Sequence, residues 1–505
     1  MQRKHKNKKI FGPITIMIII SILIAAASLI ASLLGLQADK TVINNGVLET
    51  SLTTVNNFIS VEGIKYLFGN TLLNFQMFKP LVMVIISLIA FGIADTSGLL
   101  QIIFKKLRNV KSSTVTLFVV FLGFISTIIG EYSFVILLPL VGLIYKYIGR
   151  NSVLGVITAF LGITLGYASG VIFNYDHYLL GILTQMAATI DVDHNYSYSN
   201  FSTLYIMLGS MVIMVPIIAK LIDVKIAPKF KKPLIEESDM GVSKKGLIYA
   251  LIAFIVMILI LTYMITPVIP GGGILLDSSQ DVFIARLFSD NAPFKEGFMF
   301  IFLLITTVCS YVYGKASKNL ETSQGFTESL AKCLQNSGYL LALMFFASQM
   351  IAILEWTNIG EIIVCKIVEI LSALQITGVL LIIIFMILVI IMTVFVPSTL
   401  TKWTLVSPMI VPLFMRANIT PDMTQFAFQV ADGIGKSITP LFAFFIVLLG
   451  FMHNNNADEE YSISIFGTIK LVLPTVLIIA VFWIIFVAIW YLAGFPIGIA
   501  SSSVL

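Results

Sequence analysis

The sequence predicts an all-α integral membrane protein with about nine transmembrane helices and two re-entrant hairpins arranged as an inverted repeat. Only 11% of the 505 residues are charged and 58% are hydrophobic, whereas a soluble domain carries roughly 25% charged residues. Many apolar runs reach the length of about 20 residues that a helix needs to cross a bilayer. Polar breaks interrupt several of these runs at corresponding places in the two halves of the chain.

Eight apolar stretches qualify as membrane spans, and the first follows a cluster of basic residues. This first stretch is too long for the apolar region of a signal peptide, so we interpret it as a retained helix. An interrupted stretch at 425–450 is the ninth predicted span. The other eight are residues 13–36, 80–104, 152–173, 201–219, 246–269, 297–313, 338–354 and 470–494.

Two further apolar segments carry polar residues at their centres and are predicted to be hairpins that enter and leave the membrane on one side. The first, 113–145, turns at Gly130 and Glu131, and the second, 376–414, turns near Pro397. Counting crossings, the first hairpin enters from inside and the second from outside, which gives an inverted repeat. The predicted regions are 1–79 (tail, first span and outer loop), 80–219 (first repeat), 220–337 (connecting loops and two spans), 338–494 (second repeat) and 495–505 (outer tail).

Basic residues indicate the orientation in the cytoplasmic membrane. They cluster before the first span, between Lys105 and Lys111, and between Lys220 and Lys245, and cytoplasmic loops carry such an excess. The N-terminus is therefore predicted inside and the C-terminus outside. The segment that contains Asp458, Glu459 and Glu460 is predicted to be cytoplasmic and yet is acidic. This is weak evidence against the orientation, because acidic residues contribute little to it.

The composition argues against several classes of function. Because the positive charge lies at segment ends, it reports topology, and no nucleic-acid partner is expected. The three cysteines and four histidines are too scattered for a disulfide framework or a metal site. The sequence shows no phosphate loop and no nucleophile elbow. We expect a protein that is not an enzyme and that needs no cofactor beyond a coupling ion, H⁺ or Na⁺.

Acidic residues within apolar runs are candidates for function, because a charge at the membrane centre costs about 2.5 to 3.5 kcal/mol. Asp95 lies near the inner end of a predicted span. It either ends that helix or serves as a ligand. Glu131 lies in the break of the first hairpin. Asp176 follows a run rich in glycine and serine, and its alternative position is the outer membrane interface. Asp432 lies beside two glycines in the second half.

Broken helices in transporters place a substrate site near the bilayer midplane, and the polar breaks supply its candidate residues. Unwound carbonyls with a carboxylate suit a cation, hydroxyls and amides suit a polar ligand, and Trp403 offers a surface for a planar ring. The alternative for Asp432 is a structural pair with Lys436 four residues on. The candidates are Asp432, Asp176 and Glu131 for cation coupling, Trp403, Ser398, Thr399, Thr401, Gln429, Lys436, Asn174 and Ser169 for substrate binding, and Pro421, Pro440, Gly433, Gly435 and Gly170 as helix breaks.

Several dispersed segments resemble the p-aminobenzoyl-glutamate transporter (AbgT) family. They include FGIADTSGLL at 91–100, WTNIG at 356–360, the run from Trp403 to Pro408 and WYLAGFPIG at 490–498. The resemblance implies a homodimer of nine-span, two-hairpin protomers, each with a basin open to the cytoplasm. It also implies a small-molecule substrate, either imported p-aminobenzoyl-glutamate or exported sulfonamides, moved by an ion gradient.

The family's functional positions match Asp176, Trp403, Pro421, Asp432 and Pro440, and two positions depart from its pattern. Leu400 stands where the family has serine, and Gln429 stands where it has arginine. Glutamine cannot hold a carboxylate as an arginine fork does, so Lys436 or Lys402 is expected to take that role. The departures keep open an alternative substrate class, aliphatic carboxylates or dicarboxylates.

Overall fold

The computed structural model describes residues 11–44, 46–190, 192–231, 241–332, 334–335, 337–456 and 463–505. Three groups of residues considered in the sequence analysis lie outside this description: the basic cluster before the first span, one of the three cysteines (Cys333), and the acidic residues at 458–460. Helices dominate the part of the chain that is described.

The N-terminal half contains nine helices and one pair of strands among its described residues. Caps set several helix starts: the Ser60 side chain accepts a hydrogen bond from the Gly63 amide, and Asn151 caps the helix that follows it. The elements are α1 (Pro13–Leu33), β1 (Gln37–Asn44), β2 (Val47–Thr54), α2 (Val61–Gln76), α3 (Pro80–Thr96), α4 (Leu99–Phe104), α5 (Ser112–Ser126), α6 (Tyr132–Tyr147), α7 (Ser152–Leu165), α8 (Tyr175–Thr189) and α9 (Leu204–Leu221).

The C-terminal half continues with helices that are capped in the same way, as at Ser464, whose side chain accepts from the Gly467 amide. The elements are α10 (Lys244–Ile265), α11 (Phe283–Phe288), α12 (Pro293–Glu296), α13 (Phe298–Ser317), α14 (Ser323–Lys332), α15 (Gly338–Trp356), α16 (Ile359–Ala373), α17 (Gly378–Phe395), α18 (Thr399–Arg416), α19 (Pro421–Lys436), α20 (Ala443–Asn454) and α21 (Ile465–Leu492).

Nine helices of the described residues are long and apolar enough to span a membrane, which confirms a multi-pass helical protein. Seven coincide with predicted spans, and the other two, Ser112–Ile129 and Gly378–Phe395, are the first arms of the predicted hairpins. The predicted spans 152–173 and 425–450 each divide into two short helices, α7 with α8 and α19 with α20. Whether each hairpin enters and leaves on one side stays a prediction.

An antiparallel β-hairpin follows the first helix, where the sequence analysis expected only an outer loop. β1 pairs with β2 from Gln37 opposite Thr54 to Asn44 opposite Val47. The connecting sequence is Asn45-Gly46, and Gly46 has a φ of +78°, which suits a tight hairpin turn. The Asn-Gly pair between two runs rich in valine, isoleucine and threonine is the signal that could have predicted the strands.

The order of elements repeats in the two halves. α3, α4, the α5–α6 pair, the α7–α8 pair and α9 correspond in order to α15, α16, the α17–α18 pair, the α19–α20 pair and α21. α7 is buried from Val153 to Leu165 and α19 is buried along its whole length, so both lie at the centre of the bundle. The predicted region boundaries and the inverted orientation of the repeats remain predictions.

Candidate functional site

The two broken helices meet at the centre of the molecule. α7 ends at Leu165 before a non-helical segment at 166–174, and α19 ends at Lys436 before a second one at 437–442. Gly433 allows the close approach, because a Cβ there would lie 2.7 Å from the Tyr167 Cβ and closer still to the Thr164 carbonyl oxygen. The sequence therefore brings both breaks within contact distance.

Side chains satisfy the backbone groups that the breaks release. The Trp483 indole donates to the Leu165 carbonyl over 3.1 Å, and the Thr127 hydroxyl donates to the Ser169 carbonyl over 2.9 Å. The Asn174 amide donates to the Tyr167 carbonyl over 3.2 Å. From the second break, the Thr439 hydroxyl reaches across and donates to the Val394 carbonyl near the end of α17 over 2.9 Å. Non-helical backbone at membrane depth is tolerated where it is buried in protein and paired in this way.

Asp432 is the centre of a buried cluster of charges and hydroxyls. Its Oδ1 lies 2.5 Å from Lys402 Nζ and 3.1 Å from Thr393 Oγ1, and its Oδ2 lies 3.1 Å from Lys436 Nζ and 2.5 Å from Thr399 Oγ1. Lys402 also donates to Thr393 over 2.7 Å. The predicted pair of Asp432 with Lys436 is present, and Lys402 on α18 joins it.

This cluster is closed to solvent and carries an unequal set of charges. The side chains of Asp432, Lys402 and Lys436 are 0%, 0% and 1% exposed. Two ammonium groups thus share one carboxylate, which already has two hydroxyl donors as well. A buried ion pair needs good geometry and further hydrogen bonds to offset desolvation, and the threonine hydroxyls provide them.

Tyr167 in the first break connects the cluster to α7 and α8. Its hydroxyl lies 3.1 Å from Thr399 Oγ1, and Lys436 Nζ lies 3.8 Å from the centre of its ring, a cation–π distance. Lys436 also hydrogen bonds to Thr399. The sequence analysis missed Tyr167 and Thr393, because an aromatic and a hydroxyl residue in apolar runs give no signal of their own.

Trp403 is fully buried beside the charge cluster. Its ring centre lies 4.4 Å from that of Phe428, and its indole nitrogen donates to Thr184 over 3.1 Å. Thr184 in turn lies 2.6 Å from the Gln425 side-chain oxygen. The predicted stacking residue is connected to the cluster through Phe428, whose ring centre lies 5.8 Å from Lys402 Nζ. In this conformation Phe428 covers part of the Trp403 ring.

Asn174, His177 and Gln429 form a polar group between α8 and α19. Asn174 caps α8 by accepting a hydrogen bond from the His177 amide over 2.7 Å, and its Oδ1 also lies 2.8 Å from His177 Nδ1. Gln429 Nε2 lies 3.5 Å from the same ring nitrogen. Within the described part of the chain, His177 Nε2 and Gln429 Oε1 are buried without a hydrogen-bond partner.

Asp176 lies in the first turn of α8, close to the tip of the first predicted hairpin. A Cβ on Gly130 would lie 3.7 Å from Asp176 Oδ2, which has no hydrogen-bond partner among the described residues. Four charged side chains lie within electrostatic reach of Asp176: Lys436, Glu131, Asp432 and Lys79. Glu131 itself lies 3.6 Å from the exposed Lys79.

The remaining predicted residues lie around this centre rather than in it. Ser398 is exposed and caps α18, and the exposed Thr401 hydroxyl lies 2.8 Å from it. Ser169 is buried against Ser210 of α9, with 2.6 Å between their hydroxyl oxygens. Asp95, near the end of α3, accepts a hydrogen bond from Tyr147. Of the predicted break residues, Gly170 and Pro440 lie in the two breaks. The prediction is wrong for Pro421, which begins α19, and for Gly433 and Gly435, which lie within the continuous helix α19.

A second buried carboxylate, which the sequence analysis missed, fastens the other end of α19. Asp422 accepts hydrogen bonds from the hydroxyls of Tyr196, Ser202 and Ser501 over 2.8, 2.7 and 2.8 Å. These donors come from the loop before α9 and from the C-terminal tail. Asp422 therefore holds the start of α19 in place while Asp432 lies at the other end of the same helix.

A polytopic helical bundle with two broken helices that meet at buried charges is the architecture of secondary transporters. The chain belongs to the AbgT putative transporter family, whose family model matches residues 4–505. It is 26% identical to the p-aminobenzoyl-glutamate transport protein of Escherichia coli (strain K12), over 97% of this chain and 94% of that protein.

Two solved structures are similar to the chain along nearly its whole length. The Alcanivorax borkumensis YdaH transporter, whose crystal structure is described as having an unusual topology, is 23% identical over 97% of this chain and 100% of its own, with a TM-score of 0.50. Neisseria gonorrhoeae MtrF, described as illuminating a class of antimetabolite efflux pumps, is 26% identical over 96% of both chains, with a TM-score of 0.49. The likeness to YdaH supports the helical transporter fold.

Proposed function

We propose that this protein is a secondary active transporter that moves p-aminobenzoyl-glutamate, or a related aromatic anion or sulfonamide, with coupling to H⁺ or Na⁺. The observation that carries the proposal is the pair of buried ammonium groups, Lys402 and Lys436, that share the single carboxylate of Asp432. A carboxylate of the substrate would balance that cluster. The E. coli relative is a p-aminobenzoyl-glutamate transport protein, which supports this choice of anion.

The lysines supply the positive charge that the Gln429 position lacks. Lysine binds a carboxylate as a point charge without the paired geometry of arginine. Lys436 lies at the end of α19, where its Nζ contacts both Asp432 and the ring of Tyr167. A substrate anion that enters between the two breaks would bind beside Lys436, whose ammonium group contacts the ring of Tyr167 in the first break.

We propose Asp176 as the group that couples ion and substrate. Asp432 already accepts from two ammonium groups and two hydroxyls, whereas Asp176 Oδ2 has no such partner among the described residues. When Asp176 takes up H⁺ or Na⁺, its negative charge near Lys436 is cancelled, and a substrate anion can replace it. Cation and anion then bind together, which couples the movement of the substrate to the cation gradient.

A carrier of aliphatic carboxylates or dicarboxylates is the second candidate. The observation that favours it is the contact between Trp403 and Phe428, because a ring that is covered in this way recognises an aromatic substrate only after a rearrangement. Lysines and threonine hydroxyls would suffice for such a substrate. Competition between p-aminobenzoyl-glutamate and a dicarboxylate for uptake separates the two candidates.

The cellular setting belongs to the same proposal. We propose a protein of the cytoplasmic membrane with its N-terminus inside, supported by the lysines of the 105–111 and 220–245 regions. We also propose a homodimer, supported by the resemblance to the family. The partners are then the substrate, the lipid bilayer and a second copy of the chain.

Accumulation of labelled p-aminobenzoyl-glutamate and of a labelled sulfonamide in expressing cells tests the function. We expect raised uptake of the first, or lowered retention of the second, which is lost in Asp432→Asn and abolished by either a proton or a sodium ionophore. Asp281→Asn, the same change in an exposed loop, serves as the matched control and should behave as the unmodified protein. Unchanged accumulation of both compounds would refute the proposal.

A further inference from the structure

A groove of about 360 Å³ lies between α13 and α14, and it shares no residue with the candidate functional site. Tyr311 of α13 and Phe326 of α14 meet in it edge to face, with 5.3 Å between their ring centres. The groove is mostly apolar and has a lysine at one end. Its lining residues are Thr307, Val308, Tyr311, Lys315, Ser323 and Phe326.

The groove follows the exposed face of a helix that is long and apolar enough to cross a membrane. Phe300, Leu304 and Tyr311 of α13 are 62%, 39% and 41% exposed, and their spacing places them on one side of the helix. Thr307 and Lys315 continue the same side. From Lys315 to Thr307 the groove extends about 12 Å along α13, so its apolar part lies within the depth of the bilayer.

Lys315 lies at the end of the groove where α13 reaches the membrane surface. It belongs to the last turn of this helix, and its Nζ donates to the Glu321 carbonyl over 2.7 Å. The same Nζ lies 5.7 Å from the centre of the Tyr311 ring, a cation–π distance. An ammonium group has three donors, and the bond to Glu321 uses one of them. Lys315 can therefore be held in place and still bind an anion.

The chain around this end of the groove has an excess of positive charge. The start of α10 contacts the end of α13, because a Cβ on Gly246 would lie 3.1 Å from the Ala316 Cβ. The exposed lysines of these segments are Lys244, Lys245, Lys315 and Lys318, and the exposed acids are Glu321 and Glu328. Lysines at the end of a membrane helix attract anionic lipid headgroups.

We propose that this groove binds one anionic phospholipid, with its phosphate beside Lys315 and one acyl chain along α13 past Tyr311 and Thr307. A phospholipid has its charge at the membrane surface and its chains directly below, which is the arrangement of the lysine and the apolar groove. A soluble anion would leave the apolar part unfilled. This inference goes beyond the proposed function, because it concerns a surface outside the proposed substrate site.

Native mass spectrometry of the purified, delipidated protein tests the proposal. The protein is titrated with phosphatidylglycerol, which is anionic, and with phosphatidylcholine that carries the same acyl chains. We expect one phosphatidylglycerol to bind to each chain about fivefold more tightly than phosphatidylcholine, the effect of a single lysine beside an anionic lipid.

Two variants separate the contribution of the headgroup from that of the acyl chain. Lys315→Gln should remove the preference for phosphatidylglycerol and leave the binding of phosphatidylcholine unchanged. Val308→Trp fills the groove and should weaken the binding of both lipids by about tenfold, the loss that two buried methylene groups represent. Lys106→Gln, which changes an exposed lysine outside the groove, should bind both lipids normally. Unchanged unfolding temperatures in detergent show that the variants are folded.

Three results would overturn the inference. The first is an unmodified protein without a preference for phosphatidylglycerol, and the second is an equal loss of preference in Lys106→Gln and Lys315→Gln, which would indicate general surface charge. The third is a change in the number of associated chains in Val308→Trp, which would mean that a second copy covers the groove. Because no transported compound enters this assay, these results stand whether or not the proposed function is correct.

Discussion

The residue that organises this molecule is Asp432, whose carboxylate is held by two lysines and two threonines in a site without solvent exposure. The sequence predicted a functional role for Asp432, because a charge within an apolar membrane segment costs free energy. The sequence also predicted the ion pair of Asp432 with Lys436, because the two residues are four positions apart on a helix. Lys402 and Tyr167 could be placed only by tertiary structure, since 30 or more residues separate each of them from Asp432.

The unequal charges around Asp432 predict unequal effects on stability. In Asp432→Asn, two buried ammonium groups lose their counter-charge, and we expect a loss of about 3 to 5 kcal/mol, the range for breaking a buried pair. Lys436→Gln leaves Asp432 paired with Lys402 at 2.5 Å, so it should cost much less. Thermal unfolding of the purified variants in detergent measures both changes.

The double variant Asp432→Asn with Lys436→Gln completes this cycle. Removal of Lys436 relieves one of the two uncompensated charges, so the double variant should be more stable than Asp432→Asn alone. Additive losses in the double variant would show that the two residues do not interact and would contradict the charge account.

At the level of elements, the sequence predicted that two helices are interrupted, but it did not predict that the two interruptions are in contact. Residues 152–173 and 425–450 have the length and hydropathy of ordinary spans, and glycines and a proline predicted their interruption. The contact between the two breaks depends on the packing of α7 against α19, which hydropathy does not report. Hydropathy did not predict the β1–β2 hairpin, because its strands are as polar as a loop and only the Asn-Gly pair marks its turn.

The contact between α7 and α19 should not tolerate a side chain at Gly433. In Gly433→Ala the new Cβ would overlap the Thr164 carbonyl oxygen and lie 2.7 Å from the Tyr167 Cβ. The Thr164 carbonyl is a backbone group and cannot move aside as the end of a flexible side chain can. We therefore expect the breaks to separate, with strongly reduced transport and a lowered unfolding temperature. Transport assays and thermal unfolding of the same preparation measure the two effects.

Gly338→Ala is the matched control, because a Cβ at that position meets nothing within 4 Å. This control should keep normal transport and stability. Normal transport by Gly433→Ala would mean that the two breaks need not touch during the cycle.

At the scale of the whole molecule, the account predicts which side of the membrane each hairpin enters. We expect cysteines at Lys111 and Lys146, at the two ends of the first hairpin, to react only from the cytoplasmic side. Cysteines at Gln375 and Ala417, at the ends of the second, should react only from outside. A membrane-impermeant maleimide applied to intact cells and to inverted vesicles measures this in a variant whose three native cysteines are replaced by serine.

Reaction of the two ends of either hairpin from opposite sides would contradict the inverted repeat. The pair of helices would then cross the membrane fully, and the crossing number would change. The order of elements described for the two halves would remain, but their opposite orientation would not.

The central claim is that Lys436, beside Asp432, binds the anionic group of the transported molecule. Equilibrium binding of labelled p-aminobenzoyl-glutamate to the purified protein tests it most directly. We expect Lys436→Gln to bind at least tenfold more weakly than the unmodified protein, while Lys366→Gln, which changes an exposed lysine paired with Glu369, binds normally. Equal affinity in all three proteins would contradict the account.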